Sequence, residues 1–117
     1  MDKRLIGKLG EKLVCRWYTD RKYELLSVNY RTRFGEVDII ARNRKYIVFI
    51  EVKTRKDASF SQAKEFVDYR KQQRIKAAAA FYIASNKLDD MPARFDVAEV
   101  YNADKTPVIN VIENAFE

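Results

Sequence analysis

Two apolar segments decide the fold: EVDIIA at residues 36–41 and YIVFIEVK at residues 46–53, separated by the polar tetrapeptide RNRK. Both segments are rich in β-branched and aromatic residues, which strands favour, and the tetrapeptide is suited to a turn. They predict a β-hairpin with its loop at residues 42–45. The second segment is as apolar as a fully buried strand until Glu51 and Lys53 interrupt it.

The hairpin also predicts where its charged side chains lie. Because side chains alternate between the faces of a strand, Glu36 and Asp38 share one face, and Glu51 and Lys53 share one face of the next strand. If the hairpin is symmetric about its loop, Asp38 faces Phe49, and Glu51 is its diagonal neighbour, about 7–8 Å away at the backbone. One divalent cation can then bridge Asp38 and Glu51. The alternative is that Glu51 and Lys53 form an ordinary exposed pair where the strand reaches solvent.

The rest of the chain predicts further helices and strands around the hairpin. An amphipathic helix at residues 3–22 carries the apolar stripe Leu5, Leu9, Leu13 and Trp17, with Gly7, Glu11, Val14 and Tyr18 roughly opposite it. We expect an edge strand at residues 24–28 and a basic turn at residues 31–35. A polar link at residues 57–61 leads to a helix at residues 62–84, which lacks Gly and Pro. Strands at residues 95–101 and 108–112 complete a single α/β domain.

Composition limits the chemistry that this domain can perform. The 117 residues include no histidine, which removes the usual base of Ser-His and Cys-His hydrolases and the commonest zinc ligand. Carboxylate oxygens remain, and these prefer hard ions such as Mg²⁺ or Mn²⁺. The single cysteine cannot form an internal disulfide, and no segment approaches the roughly 20 apolar residues of a membrane span. We therefore expect a cytoplasmic protein without a membrane partner.

Several motifs, in order along nearly the whole chain, resemble a known family. They are Gly10-Glu11, NYR at residues 29–31, FGEVD at 34–38, VFIEVKTR at 48–55, KQQR at 71–74, RFDV at 94–97 and IENAF at 112–116. This pattern is similar to the small bacterial proteins of the UPF0102, or YraN-like, family. The core formed by Asp38, Glu51 and Lys53 also resembles that of the PD-(D/E)XK nucleases, which include archaeal Holliday-junction resolvases.

The resemblance implies a restriction-endonuclease-like fold, with a central mixed β-sheet flanked by α-helices. It implies that Asp38 and Glu51 ligate Mg²⁺ or Mn²⁺, that Lys53 is the catalytic cation, and that Glu11 lies near the metal as a further ligand. The resemblance implies that the substrate is DNA, including branched or structured DNA, and a homodimer is expected only by analogy with resolvases, which make paired cuts. The sequence itself leaves open DNA versus RNA, endo- versus exonuclease action and the oligomeric state. One departure is that Val14 and Cys15 stand where small residues are usual after Gly10-Glu11.

Basic residues around the proposed site are candidates for phosphate contact, in keeping with a net charge of +6. Arg31, Arg33 and Arg55 bracket the site, and Lys71 and Arg74 lie on a basic helix face, for which plain solvation is the alternative. Glu36 is a further candidate for the metal. Asp96 is expected to be structural and to pair with Arg94.

Two other classes of function fit the same sequence. One is a non-catalytic nucleic-acid-binding module that retains the fold and the basic surface. The other is a structural protein whose carboxylates bind metal only for stability. Metal titration and a cleavage assay on single-stranded, duplex, flap and four-way DNA would separate these possibilities from a nuclease.

Overall fold

The computed structural model describes residues 2–55 and 67–117, which form a five-stranded mixed sheet with two helices. In chain order, the elements are α1 (Lys3–Asp20), β1 (Glu24–Arg31), β2 (Glu36–Arg42), β3 (Ile47–Arg55), α2 (Tyr69–Ser85), β4 (Ala93–Tyr101) and β5 (Val108–Phe116). The strands lie in the order β1-β2-β3-β4-β5. All neighbours are antiparallel except β3 and β4, which are parallel and are connected through α2.

Both faces of the sheet carry a hydrophobic core. On one face, Ile40, Phe49 and Val97 pack with Ile75 of α2. On the other, Ile39, Ile50, Val48 and Ala98 pack with Val14 and Tyr18 of α1. The first five residues of β3 are all buried, as its nearly continuous apolar sequence predicts for a central strand. The architecture is the expected α/β restriction-endonuclease-like fold.

Helix α1 buries a different face from the one that its leucine stripe predicts. Gly10, Val14 and Tyr18 are buried, whereas Leu5 is 50% exposed. Gly10 decides this orientation, because a Cβ there would collide with the side-chain methyl of Thr54 on β3. The helix therefore approaches the sheet along its glycine side, and the stripe at Leu5, Leu9, Leu13 and Trp17 lies at the margin of the core.

The predicted hairpin is present, but its turn is shifted by one residue. Arg42 ends β2 and pairs with Ile47, so the connection is residues 43–46 rather than 42–45. Asn43 accounts for the shift, since its Oδ1 accepts hydrogen bonds from the backbone N–H groups of Lys45 and Tyr46 at 2.8 and 2.7 Å. The pairing register moves by two residues as a result, and Ile40 faces Phe49 where Asp38 was expected.

The other elements differ from their predicted bounds mainly at the ends. The first helix ends at Asp20 rather than at residue 22, and β1, β4 and β5 extend beyond the predicted segments, β1 as far as Arg31 and β5 as far as Phe116. As predicted, β1 lies at an edge of the sheet.

Asp96 is buried and accepts two hydrogen bonds from Arg94, each 2.9 Å long, which confirms the predicted pair.

Helix α2 begins later than predicted. Asp68 is its N-cap, and the Asp68 Oδ1 accepts a hydrogen bond from the Lys71 N–H at 2.9 Å. Residues 67 and 68 are therefore not helical, whereas the predicted polar link at 57–61 and the predicted helical residues 62–66 lie outside the described residues. Neither α1 nor α2 is long and apolar enough to cross a membrane, and the described residues contain no other helix.

Candidate metal and nucleic-acid site

The candidate site lies where strands β2 and β3 separate. Their last paired residues at this end are Ile39 and Ile50. Beyond them, the Asp38 Oδ2 accepts a hydrogen bond from the backbone N–H of Val52 at 2.8 Å. The Asp38 carboxylate thus takes the place of a strand partner and is held against β3. The shifted register makes Glu51 a direct neighbour of Asp38 across the two strands rather than a diagonal one.

Glu51 is a buried carboxyl group beside a second carboxyl group. The residue is only 7% exposed, which contradicts the alternative that Glu51 and Lys53 form an ordinary exposed pair. Burial, the negative charge of Asp38 and a hydrogen bond between the two carboxyl groups raise the pKa of Glu51 to about 7. Positive charge from Lys71 and Lys53 opposes this rise. The structure therefore brings Asp38, Glu51 and Lys53 together.

A lysine from α2 completes the immediate surroundings of Glu51. The Nζ atom of Lys71 lies 3.5 Å from Glu51 Oε2, and the Lys71 side chain is 38% exposed. Lys71 thus connects the buried carboxyl pair with the surface.

On the opposite side of β3, strand β4 places Glu99 beside Lys53, and buried Glu99 accepts a hydrogen bond from Asn110 at 3.0 Å.

Glu11 approaches the site from α1. Its Oε1 accepts a hydrogen bond from the side-chain amide of Asn29 at 3.3 Å. Partial burial is the largest cause of a raised pKa for Glu11, and the negative charge of Asp38 acts in the same direction, while the Asn29 hydrogen bond opposes both. Asn29 has the left-handed backbone conformation, with φ of 56°, that asparagine tolerates better than most residues.

The acidic residues form a pair rather than a larger cluster. Among residues 2–55 and 67–117, no three His, Cys, Asp or Glu side chains converge in an arrangement that could hold a metal ion. The role of Glu11 as a third ligand therefore stays a prediction. The pair itself fits a hard divalent cation, because its donors are carboxylate oxygens and because a cation would offset the burial and the Asp38 charge that raise the pKa of Glu51.

The predicted phosphate-binding residues lie on three elements and one turn. Arg31 ends β1, Arg33 lies in the turn that follows it, and Lys71 and Arg74 lie on α2, where they line one depression with Glu36. Arg55 lies at the end of β3 and, by strand alternation, on the same face as Glu51 and Lys53.

Glu36 is engaged in an ion pair at the surface. Its Oε2 is 3.5 Å from Arg31 Nε, and both side chains are exposed. The role of Glu36 as a further metal ligand stays a prediction.

The sequence did not predict three features of this region. Two of them are the positions of Asn29 and Glu99, although Asn29 lies in the NYR motif. The third is the ion pair between Lys71 and Glu51, which joins residues 20 positions apart on different elements. Only for Asn29 did the sequence contain a local signal that could have indicated a role.

Comparison with known proteins places the chain in a family. Residues 10–100 match the family model described as "Uncharacterised protein family UPF0102". A UPF0102 protein of Alkaliphilus oremlandii is 45% identical over 99% of this chain and 100% of its own length. Similar proteins of Acetivibrio thermocellus and Clostridioides difficile are 39% and 40% identical, over 98% and 99% of this chain and 93% and 100% of their own lengths. The chain belongs to the UPF0102 family.

Proposed function

We propose that this protein is a cytoplasmic, metal-dependent endonuclease that hydrolyses phosphodiester bonds in DNA, including branched or structured DNA. The observation that carries the proposal is the carboxyl pair of Asp38 and buried Glu51, with Lys53 two residues further along the same strand. Burying a carboxylate is costly unless it is paired or binds a cation. This carboxyl pair lies beside Lys53 and Lys71, and Lys71 lines a depression with Arg70 and Arg74. The arrangement suits a site for a metal ion and a phosphate group.

The chain's own residues would divide the catalytic work. Asp38 and Glu51 would hold Mg²⁺ or Mn²⁺, which supplies an activated water and positive charge against the phosphate. Lys53 would orient the attacking water or stabilise the negative charge that develops on the phosphate. Lys71, now paired with Glu51, is positioned to receive a non-bridging phosphate oxygen when substrate arrives.

The Asp38 hydrogen bond to the Val52 N–H contributes to this arrangement by fixing the orientation of one carboxylate. An acceptor held by the backbone requires little rearrangement when a ligand binds, so it favours a preorganised site. Glu11, from α1, would complete the shell of the ion or support a second ion. A homodimer would supply two such sites for paired cuts in branched DNA.

A second candidate function is a non-catalytic nucleic-acid-binding module. The exposed arginines favour it as strongly as they favour a nuclease, because phosphate contacts alone provide affinity without cleavage. The buried carboxyl pair discriminates between the two, since a module that only binds a polyanion gains nothing from acidic groups facing its ligand. That pair leads us to place the nuclease first.

A cleavage assay tests the proposal. Purified wild-type protein is incubated with Mg²⁺ or Mn²⁺ and with single-stranded, duplex, flap and four-way DNA, and Asp38→Asn serves as the inactive control. Metal-dependent cleavage of at least one substrate by the wild type, absent from Asp38→Asn, supports the proposal. Binding without cleavage of any of the four would instead establish the non-catalytic module.

A further inference from the structure

Three exposed aromatic side chains lie together beside the candidate site. Phe34 is 48% exposed, Phe81 49% and Tyr69 74%. The ring centroids of Phe34 and Phe81 are 6.3 Å apart, with the planes inclined at 46°. Phe34 and Tyr69 also line a surface depression together. We call Phe34, Tyr69 and Phe81 the aromatic platform, and its exposure has no explanation in the packing of the core.

The backbone holds the platform in place. The Thr32 Oγ1 accepts hydrogen bonds from the N–H groups of Phe34 and Gly35, at 3.0 and 3.2 Å, which fixes the turn. Gly35 lies so close to α2 that a Cβ there would collide with the backbone carbonyl of Arg74. Phe34 is therefore anchored against the helix that carries Tyr69 and Phe81, and its contact with the Phe81 ring is preorganised.

Arginines surround these rings. Two shallow depressions of about 660 and 490 Å³ meet at Phe34. Their basic lining residues are Arg31 and Arg33 on one side, and Arg70 and Arg74 on the other. The Cζ atom of Arg33 lies 5.1 Å from the ring centroid of Phe34.

This alternation of exposed rings and cations points to the ligand. A single nucleic-acid strand presents flat bases and phosphates together, and proteins bind it with aromatic stacking surfaces inside positively charged grooves. Paired bases inside a continuous duplex cannot offer their faces in this way, so the complementary ligand is an unpaired stretch of DNA.

The platform is continuous with the carboxyl pair. Arg70 and Arg74 line both the 490 Å³ depression at Phe34 and a neighbouring one of about 390 Å³ that reaches Lys71. Lys71 in turn contacts Glu51. A strand stacked on the platform would therefore pass along these cations toward Asp38 and Glu51.

We infer that the aromatic platform of Phe34, Tyr69 and Phe81 stacks unpaired bases next to the cleavage point, so that the substrate class is DNA with a single-stranded segment. This inference rests on the proposed nuclease function for its link to cleavage, but the stacking itself requires no metal.

Binding measurements without divalent metal test the inference. Fluorescence anisotropy in EDTA would compare a labelled 20-nucleotide thymidine strand, an abasic strand of the same length and a blunt-ended duplex of two fully complementary strands. We expect Phe34→Ala and Phe81→Ala each to weaken binding of the thymidine strand about tenfold, since stacking contributes about 1–3 kcal/mol per base and about 1.4 kcal/mol corresponds to tenfold. Binding of the abasic strand and of the duplex should be unchanged.

Two further variants separate stacking from general apolar contact. Phe81→Tyr keeps an aromatic ring and should bind the thymidine strand like wild type, whereas Phe81→Leu should lose affinity as Phe81→Ala does. Leu5→Ala removes an equally exposed apolar side chain of α1 and is the matched control. Circular dichroism melts establish that each variant is folded.

The outcomes are distinguishable from those of the cleavage assay. Equal affinity of wild type, Phe34→Ala and Phe81→Ala for the thymidine strand overturns the platform even if the wild type cleaves DNA. Weakened binding of the abasic strand by the same variants also overturns it, because no base is present there to stack. A change in sedimentation from dimer to monomer in Phe81→Ala would show that a second copy covers these rings and would overturn the inference. Selective loss of thymidine-strand binding supports the platform even if no substrate is cleaved.

Discussion

Replacing Glu51 with glutamine should remove the pH dependence that this residue imposes on folding stability. The substitution keeps the size of the side chain and removes its ionisation. In the folded protein the pKa of Glu51 is raised from 4.5 to about 7, chiefly by burial and then by Asp38. The protonated form is therefore favoured by folding, and its stabilising contribution is complete below about pH 4.5 and is lost as the pH rises through about 7.

The size of the effect follows from that difference in pKa. The rise from 4.5 to about 7 corresponds to about 3 kcal/mol in the free energy of unfolding, as an upper limit, because each pH unit of separation is about 1.4 kcal/mol. The free energy of unfolding of the wild type should therefore fall by up to about 3 kcal/mol, relative to that of Glu51→Gln, as the pH rises from 4.5 to 8.

Urea denaturation in EDTA at pH 5, 6, 7 and 8 measures this difference directly. Glu24→Gln is the matched control, since Glu24 is exposed and its ion pair with Arg42 lies at the edge of the sheet. Addition of Mg²⁺ or Mn²⁺ at pH 8 should restore stability to the wild type, by about 2.7 kcal/mol at one hundred times its dissociation constant, and should do much less for Glu51→Gln. A stability difference between wild type and Glu51→Gln that is the same at pH 5 and pH 8 would refute the reasoning.

Three other perturbations test separate parts of the structure. Gly35→Ala should lower the free energy of unfolding by about 1–3 kcal/mol, because the added Cβ meets the backbone of Arg74. The control is Gly7→Ala, whose Cβ meets nothing within 4 Å and which should be neutral or stabilising in thermal melts. Equal melting temperatures for the two variants would contradict the close approach at Gly35. Lys53→Ala should keep its DNA affinity and lose about 10²–10³-fold in single-turnover cleavage, and wild-type rates in this variant would exclude a catalytic Lys53. DNA affinity should fall with added salt. In a plot of the logarithm of the binding constant against the logarithm of the salt concentration, each lost phosphate contact should reduce the slope by about 0.9 on duplex DNA, as measured with alanine variants of Arg31, Arg33, Arg55, Lys71 and Arg74. Salt-independent binding would contradict the nucleic-acid assignment.

The sequence predicted the hairpin and the meeting of its acidic residues, because strand alternation and the apolar pattern of β3 constrain both. It did not predict the register, since the Asn43 side chain sets a turn that begins one residue later than a symmetric loop. The structure brings Asp38 and Glu51 closer together than the predicted diagonal placement does.

The buried face of α1 could not be inferred from its leucines. The apolar stripe is longer than the glycine side, but the close approach at Gly10 determines which side meets the sheet. Hydrophobic periodicity measures the apolar content of a helix face and contains no information about how near its backbone comes to a neighbouring strand. The same limitation applies to Phe34 and Phe81, whose contact depends on the packing of Gly35 against α2.

A manganese titration tests the central claim most directly. Free Mn²⁺ is measured by electron paramagnetic resonance as each protein is added at pH 8, where Glu51 is ionised in most molecules. The wild type and Lys53→Ala should each bind Mn²⁺, while Asp38→Ala and Glu51→Ala, which lose ligand oxygens, should bind it far more weakly. Wild-type Mn²⁺ affinity in both Asp38→Ala and Glu51→Ala would show that the two carboxylates do not share a metal ion.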